Sequence, residues 1–183
     1  VGEVTAMEMV SAYSVFANGG YLKKPYFIDK IIDSQGRKVK LSSALMNAEV
    51  PRIIDPRNAF IMTDMLKEVI NSGTARKAKR LKRNDIAGKT GTTNNLIDAW
   101  FAGYNPDIVT VTWMGFPQPK PLGDKETGSR AALPIWIDYM EPILEDYPIK
   151  MLVEPEGILP LKVKESDGTL AGPNEPGIYE YFY

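Results

Sequence analysis

The chain has 183 residues, 44% hydrophobic and 25% charged, which suits one globular domain with a real core and a small addition. It contains no histidine and no cysteine, which excludes Ser-His-Asp and Cys-His nucleophilic chemistry, disulfides, and zinc sites built on those ligands. A net charge of −1 gives no whole-chain attraction for a polyanion, and no run of 18 apolar residues is present to span a membrane.

The first residues, Val1-Gly2-Glu3-Val4, carry neither an initiator Met nor a basic and apolar leader, and read as the interior of a longer chain. Thr5 followed by Glu8 is a capping box, and Met9, Ala12, Tyr13 and Phe16 then recur at helical spacing until Asn18-Gly19-Gly20. Residues 26–32 and 37–41 are expected to be short strands about the Asp33-Ser34-Gln35-Gly36 turn, with 42–54 irregular. Asp55-Pro56 opens a second helix, with Asp as cap and Pro in the first turn; its core face is predicted to be Ala59, Met62, Leu66, Val69 and Ile70, and Gly73 closes it. Arg76, Lys77, Lys79, Arg80, Lys82 and Arg83 follow as a basic run with no aromatic residue interleaved to stack bases. It is expected to be a solvated loop, and nucleic acid is not expected as a partner.

Three strands are predicted at 86–93, 97–104 and 108–116. The gaps at Asn94-Asn95 and Asn105-Pro106-Asp107 are short enough for antiparallel hairpins. A Pro- and Gly-rich loop spans Pro117 to Gly128, and 131–146 is expected to be a helix with Pro134 near its start. Trp113, Trp136 and the methionines are assigned to the core. From 148 to 183 the texture becomes rich in Pro and Gly, and the segment is read as an appendage, one hairpin turning at Ser166-Asp167-Gly168-Thr169. Tyr179, Tyr181, Phe182 and Tyr183 are expected to dock it.

Ala87-Gly88-Lys89-Thr90-Gly91-Thr92-Thr93 is the segment with chemistry. A phosphate-binding loop would need Gly five residues before Gly88, where Arg83 stands, and a helix after the lysine, which Gly91 and Asn94-Asn95 oppose. On a strand the segment reads differently. Lys89 and Gly91 point to one face, Thr90 and Thr92 to the other. An ammonium beside hydroxyls holds a carboxylate, and Gly91 admits a substrate backbone to the strand edge. A backbone N–H beyond the glycine can donate to an oxyanion. Lys-Thr-Gly is one of the motifs of penicillin-binding proteins and class A β-lactamases. On the next strand Asp98 and Trp100 share a face, and core packing is their expected role.

Four stretches carry a wider resemblance. They are Glu8-Met9-Val10-Ser11-Ala12-Tyr13 through Gly20; Asn58-Ala59-Phe60 through Ser72-Gly73-Thr74-Ala75; the Lys-Thr-Gly segment with Asp98-Ala99-Trp100-Phe101; and Glu126-Thr127-Gly128 with Ala131-Ala132-Leu133-Pro134-Ile135-Trp136. Their order and spacing over residues 3–145 resemble the C-terminal part of the transpeptidase domain of class A, bifunctional penicillin-binding proteins. The resemblance implies an α+β fold, an antiparallel sheet flanked by helices, of the serine β-lactamase and D,D-transpeptidase type. It divides the chain into 1–147, the C-terminal portion of that domain, and the appendage 148–183. It also implies a parent enzyme that cross-links peptidoglycan stem peptides through a serine acyl-enzyme, binds β-lactams, needs no cofactor or metal, and works at the periplasmic face of the bacterial inner membrane. A glycosyltransferase domain and the membrane anchor would lie outside this chain, which itself would not touch the membrane.

Carried over residue by residue, the resemblance makes Lys89 and Thr92 catalytic, Lys89 through its positive field and Thr92 through its backbone N–H in the oxyanion hole. Thr90, Gly91, Thr92 and Thr93 would bind substrate. One departure is decisive. None of the serines at 11, 14, 34, 42, 43, 72, 129 and 166 has lysine three residues on or asparagine two residues on. The nucleophile and its base are therefore expected on the rest of the transpeptidase domain, and this chain alone is expected to be inactive. The alternative is a scaffold or peptidoglycan-binding module that kept the fold without catalysis; a Ser-x-x-Lys upstream would decide for the enzyme.

Overall fold

A computed structural model describes residues 3–39 and 50–183. The ends of two expected segments, 40–41 of a strand and 42–49 of the irregular stretch, lie outside the described residues. Helix α1 (Ala6–Ala17) starts at the anticipated capping box, with the Glu8 N–H donating to Thr5 Oγ1 at 3.2 Å and the Thr5 N–H donating to Glu8 Oε2 at 2.7 Å. Two-residue strands β1 (Ile31–Ile32) and β2 (Lys38–Val39) then pair about the Asp33 turn. Of the first strand expected there, 26–32, only the last two residues form. Both sides of this ribbon are exposed, and among the described residues Tyr26, Phe27 and Ile28 find no core to pack against.

Helix α2 (Pro56–Asn71) is capped by Asp55, which accepts from the Arg57 N–H at 2.9 Å. Its buried face is Ala59, Thr63, Leu66 and Ile70, with Val69 half-buried against the core. Met62, expected inside, is 38% exposed, and Thr63 takes the inward position because its hydroxyl meets the buried Tyr104 hydroxyl at 2.9 Å. In α1 likewise Val15 and Ala17 are the buried residues, Tyr13 and Phe16 pack beside them, and Ala12 faces solvent.

The basic run is solvated as expected at Arg76, Lys77, Lys79, Arg80 and Lys82, but it winds as a 3-10 helix over Arg76–Leu81 instead of a loop. Arg80 pairs with Asp138 at 2.5 Å and with Glu141 at 3.1 Å. Arg83 is buried against Asp85 at 2.6 Å and donates to the carbonyls of Leu144, Tyr147 and Pro148. Two of the six cations are thus structural, and their acceptors other than Asp85 lie more than fifty residues away in sequence.

Strands β3 (Ala87–Thr92), β4 (Ala99–Tyr104) and β5 (Val109–Met114) form an antiparallel sheet in the order β3-β4-β5. Gly91 stands opposite Trp100, and Trp100 opposite Trp113. On one face Ala87, Tyr104 and Val109 pack against Ala17, Phe16 and Leu66 of α1 and α2. On the other, Ala99, Phe101 and Met114 pack against Leu133, Trp136 and Met140 of α3 (Leu133–Glu145). A π-turn over Gly128–Ala132 leads into α3, so the helical winding starts three residues before the expected 131.

Trp136 is fully buried as anticipated, but Trp113 is not a core residue. It is 45% exposed and donates its indole N–H to Asp98 Oδ1 at 2.9 Å. Gly115 allows this, since a Cβ there would lie 2.3 Å from the Trp113 ring. Met140 is buried, whereas Met7, Met62, Met65 and Met151 are exposed.

The tail forms a hairpin of β6 (Leu159–Val163) and β7 (Ile178–Phe182). The expected Ser166–Thr169 turn is present, closed by a bridge between Val163 and Leu170, but it is a side loop inside a longer connection. The hairpin docks on α2 through its aromatic end. Tyr181 meets Phe60 edge to face at 5.0 Å, Arg57 lies 4.8 Å over the Tyr183 ring, and the Tyr183 hydroxyl bonds Asn58.

Candidate active site

Among the described residues strand β3 pairs only with β4, so its other edge is unpaired there, and this edge carries the Lys-Thr-Gly segment. The strand exists because Ala87 and Gly88 enter a tight core. A Cβ at Gly88 would lie 2.7 Å from the Phe101 ring and from the Ala102 carbonyl oxygen. Beyond that buried start the strand comes to the surface: Lys89 and Thr92 are exposed, Thr90 and Gly91 half-buried.

The expected alternation holds. Lys89 and Gly91 share the α1 side with Trp100 and Ala102, while Thr90 and Thr92 lie on the α3 side. Lys89 Nζ donates to the Thr90 carbonyl at 3.0 Å and, among the described residues, forms no ion pair. Each threonine hydroxyl has a partner from a different element. Thr90 Oγ1 lies 2.7 Å from Thr74 Oγ1, in the turn that leaves α2. Thr92 Oγ1 accepts from the Gly128 N–H at 3.0 Å. Gly128 approaches so closely that a Cβ would lie 2.4 Å from the carbonyl oxygens of Gly91 and Trp100.

Thr93 sits apart from the other four. It closes the β3–β4 connection: its hydroxyl accepts from the Asp98 N–H at 2.8 Å and donates to Asp98 Oδ2 at 3.2 Å. Asp98 thereby joins Thr93 to Trp113 through side chains, where core packing was expected. Thr74 and Gly128 are the neighbours that strand periodicity could not reveal. Both lie within stretches that carried the resemblance, but only folding brings them to β3.

This edge is open surface. A cavity of about 210 Å3 lies elsewhere, between α2 and the tail, lined by Phe60, Thr63, Asp64, Tyr104, Met151 and Tyr181. Burial raises the Asp64 carboxyl there above its ordinary value. Among the described residues no cluster of acidic side chains is arranged to hold a metal, and no helix is long and apolar enough to cross a membrane.

An antiparallel sheet with helices on both faces and a Lys-Thr-Gly edge strand is the α+β architecture of the serine β-lactamases and D,D-transpeptidases. The family model for the penicillin binding protein transpeptidase domain matches residues 2–141, and the chain belongs to that family. It is 48% identical over 159 residues to penicillin-binding protein 1A of Neisseria lactamica, covering 86% of this chain and 20% of that protein. It is 40% identical to penicillin-binding protein 1A of Pseudomonas aeruginosa, covering 96% of this chain and 27% of the relative. The crystal structure of penicillin-binding protein 1A from Haemophilus influenzae superposes with a TM-score of 0.90 at 32% identity, covering 98% of this chain and 32% of that one. The chain therefore spans between a fifth and a third of the proteins it matches.

Proposed function

We propose that β3 is the donor-binding strand of a peptidoglycan D,D-transpeptidase whose nucleophile lies on the portion of the domain outside this chain. The observation that carries this reading is the unpaired edge of β3 bearing Lys89, Thr90, Gly91 and Thr92. A stem peptide ending in D-Ala-D-Ala adds along the edge as an extra strand, its backbone bonded to that of β3. Thr90 and Thr92 donate to its terminal carboxylate, and Lys89 supplies positive field. Gly91 leaves the approach unobstructed.

A serine hydroxyl from the complementary portion then attacks the penultimate carbonyl carbon. The tetrahedral oxyanion is held by the Thr92 N–H and a second donor from that portion. Collapse breaks the amide bond, and the departing D-Ala amine takes the proton. The acyl group passes to an amine of a neighbouring stem, which completes the cross-link and restores the serine. A β-lactam enters by the same carboxylate and stops at the acyl-enzyme. No step requires a cofactor. The setting is the periplasmic face of the inner membrane, with the anchor and a glycosyltransferase domain on other parts of the parent.

The test is labelling by a fluorescent penicillin. This chain alone is expected to give no covalent band, because no serine in it has lysine three residues on. Supplied with the complementary portion of the domain as a second chain, the pair is expected to label, and Lys89→Ala to weaken the band. Labelling of the isolated chain would sink the assignment of the nucleophile. A well-folded pair that never labels would favour the non-catalytic scaffold instead.

A further inference from the structure

We propose that Thr74 is a positioning residue for the donor carboxylate: its hydroxyl donates to Thr90 Oγ1 and so leaves the Thr90 proton directed at the ligand. The proposal rests on the reading of β3 given above and adds to it a residue from another element.

Thr74 stands in a firmly seated turn. The Gly73 N–H donates to the Glu68 carbonyl at 3.1 Å and the Ala75 N–H to that of Val69 at 3.0 Å. Ala75 is fully buried, and a Cβ at Gly73 would lie 2.8 Å from Val69 Cα, so the turn is packed directly against the end of α2. From there the Thr74 hydroxyl reaches Thr90 Oγ1 at 2.7 Å, an ordinary O–H···O distance. Thr74 itself is exposed, so no packing requirement explains a hydroxyl at this position.

The direction of that bond follows from proton counting. A hydroxyl has one proton and two lone pairs, whereas a carboxylate only accepts. If Thr90 donated to Thr74, its proton would be unavailable to the substrate. If Thr74 donates, the Thr90 proton is free, and a carboxylate beside Thr90 selects this direction. A donor that is itself accepting a hydrogen bond is polarised and binds more strongly. Thr92 shows the same arrangement without ambiguity. Its partner is the Gly128 N–H, which can only donate, so the Thr92 proton is also free. Both threonines on this face therefore accept a hydrogen bond from a neighbouring element and can donate toward the strand edge.

The experiment measures the second-order acylation rate of the complete transpeptidase domain, this chain joined to the portion that carries the nucleophile. The probes are a chromogenic β-lactam with a free carboxylate and its methyl ester. Thr74→Val is expected to slow the free acid about three- to tenfold, the effect of losing one neutral hydrogen bond that orients and polarises Thr90, and to leave the ester nearly unchanged. Thr74→Ser is expected to restore the rate. The double variant Thr74→Val/Thr90→Val should be no slower than Thr90→Val alone, because Thr74 acts through Thr90. Thermal unfolding of each variant checks that the fold is retained. A Thr74→Val domain that acylates at the parent rate would overturn the proposal, as would equal losses on acid and ester, or additive losses in the double variant. If Thr90→Val alone is as fast as the parent, the reading of β3 fails too. A slow Thr90→Val beside a normal Thr74→Val defeats only the role of Thr74.

Discussion

Asp85 ties three parts of the chain to one carboxylate. It pairs with Arg83 at 2.6 Å, with side-chain exposures of 0% and 9%, accepts from the Lys150 N–H at 3.0 Å, and lies 3.5 Å from the Asn105 amide nitrogen. Burial pushes its carboxyl up. The Arg83 hydrogen bonds, the Lys150 N–H and the Arg83 charge outweigh that and leave it below the ordinary value. A carboxyl lowered on folding contributes stability above its unfolded pKa, and that contribution is lost as pH falls through the folded value. Asp55 behaves alike at the start of α2, held down to about 2 by its bonds to Arg57. Unfolding midpoints in urea are therefore expected to be flat near neutrality and to fall with acidification below about pH 4, with Asp85→Asn showing a shallower fall. At neutral pH Asp85→Asn should cost about 3 kcal/mol, since it leaves the Arg83 charge buried without its partner. A midpoint unchanged by Asp85→Asn would contradict this account. On β3, Lys89→Ala in the complete domain should slow acylation ten- to a thousandfold, about 1.4–4 kcal/mol in the barrier, while Lys79→Gln on the 3-10 helix should leave it nearly untouched. The reverse ranking in stopped-flow rates would place the cleft elsewhere.

At the scale of elements, the sheet is specified by close approaches that only glycine permits. Gly103 lies 2.6 Å, measured from a notional Cβ, from both Phe101 and Trp136, and Gly128 lies 2.4 Å from two carbonyls of β3 and β4. Gly128→Val must push the π-turn off the sheet and remove the donor to Thr92. We expect a loss of about 2 kcal/mol together with slower acylation of carboxylate-bearing ligands. A variant that unfolds at the parent's temperature would show that the turn is free to move. The three strands and α2 were legible because their patterns are local: alternation, Asn-rich turns, and an Asp-Pro cap. Met62 was misplaced by the same reading and Thr63 was missed. Periodicity ranks side chains by hydropathy, whereas the inward place went to the hydroxyl that Tyr104 could satisfy.

Across the whole molecule the tail is held by the body and in turn holds it. Arg83 donates to the carbonyls of Tyr147 and Pro148, Lys150 pairs with Asp107 at 2.8 Å, and Tyr181 and Tyr183 sit on α2. Removing residues 148–183 is expected to lower the thermal midpoint by on the order of 5 °C or more, given about 2–4 °C per kcal/mol in a chain of this size. Circular dichroism should still show the helices. An unchanged midpoint would mean that the hairpin contributes nothing to the stability of the body.

The sequence alone determined the order of helices and strands, the hairpin connectivity, the sidedness of Lys89 and Thr90, and the resemblance to the transpeptidase family. Each depends on residues a few positions apart, where period and turn chemistry act. Tertiary structure decided which cations are structural, why Trp113 is at the surface, and what stands behind the two threonines. Arg83 meets acceptors 61 to 65 residues onward, Trp113 an aspartate 15 residues back, and Thr92 an amide 36 residues away. Spacing along the chain carries no information about such pairs. For Arg83 the cause is burial, which leaves a charge the choice of partners or an uncompensated loss of hydration. Trp113 and Thr92 stand at more open positions and meet their partners because strands and turn are packed together around the sheet.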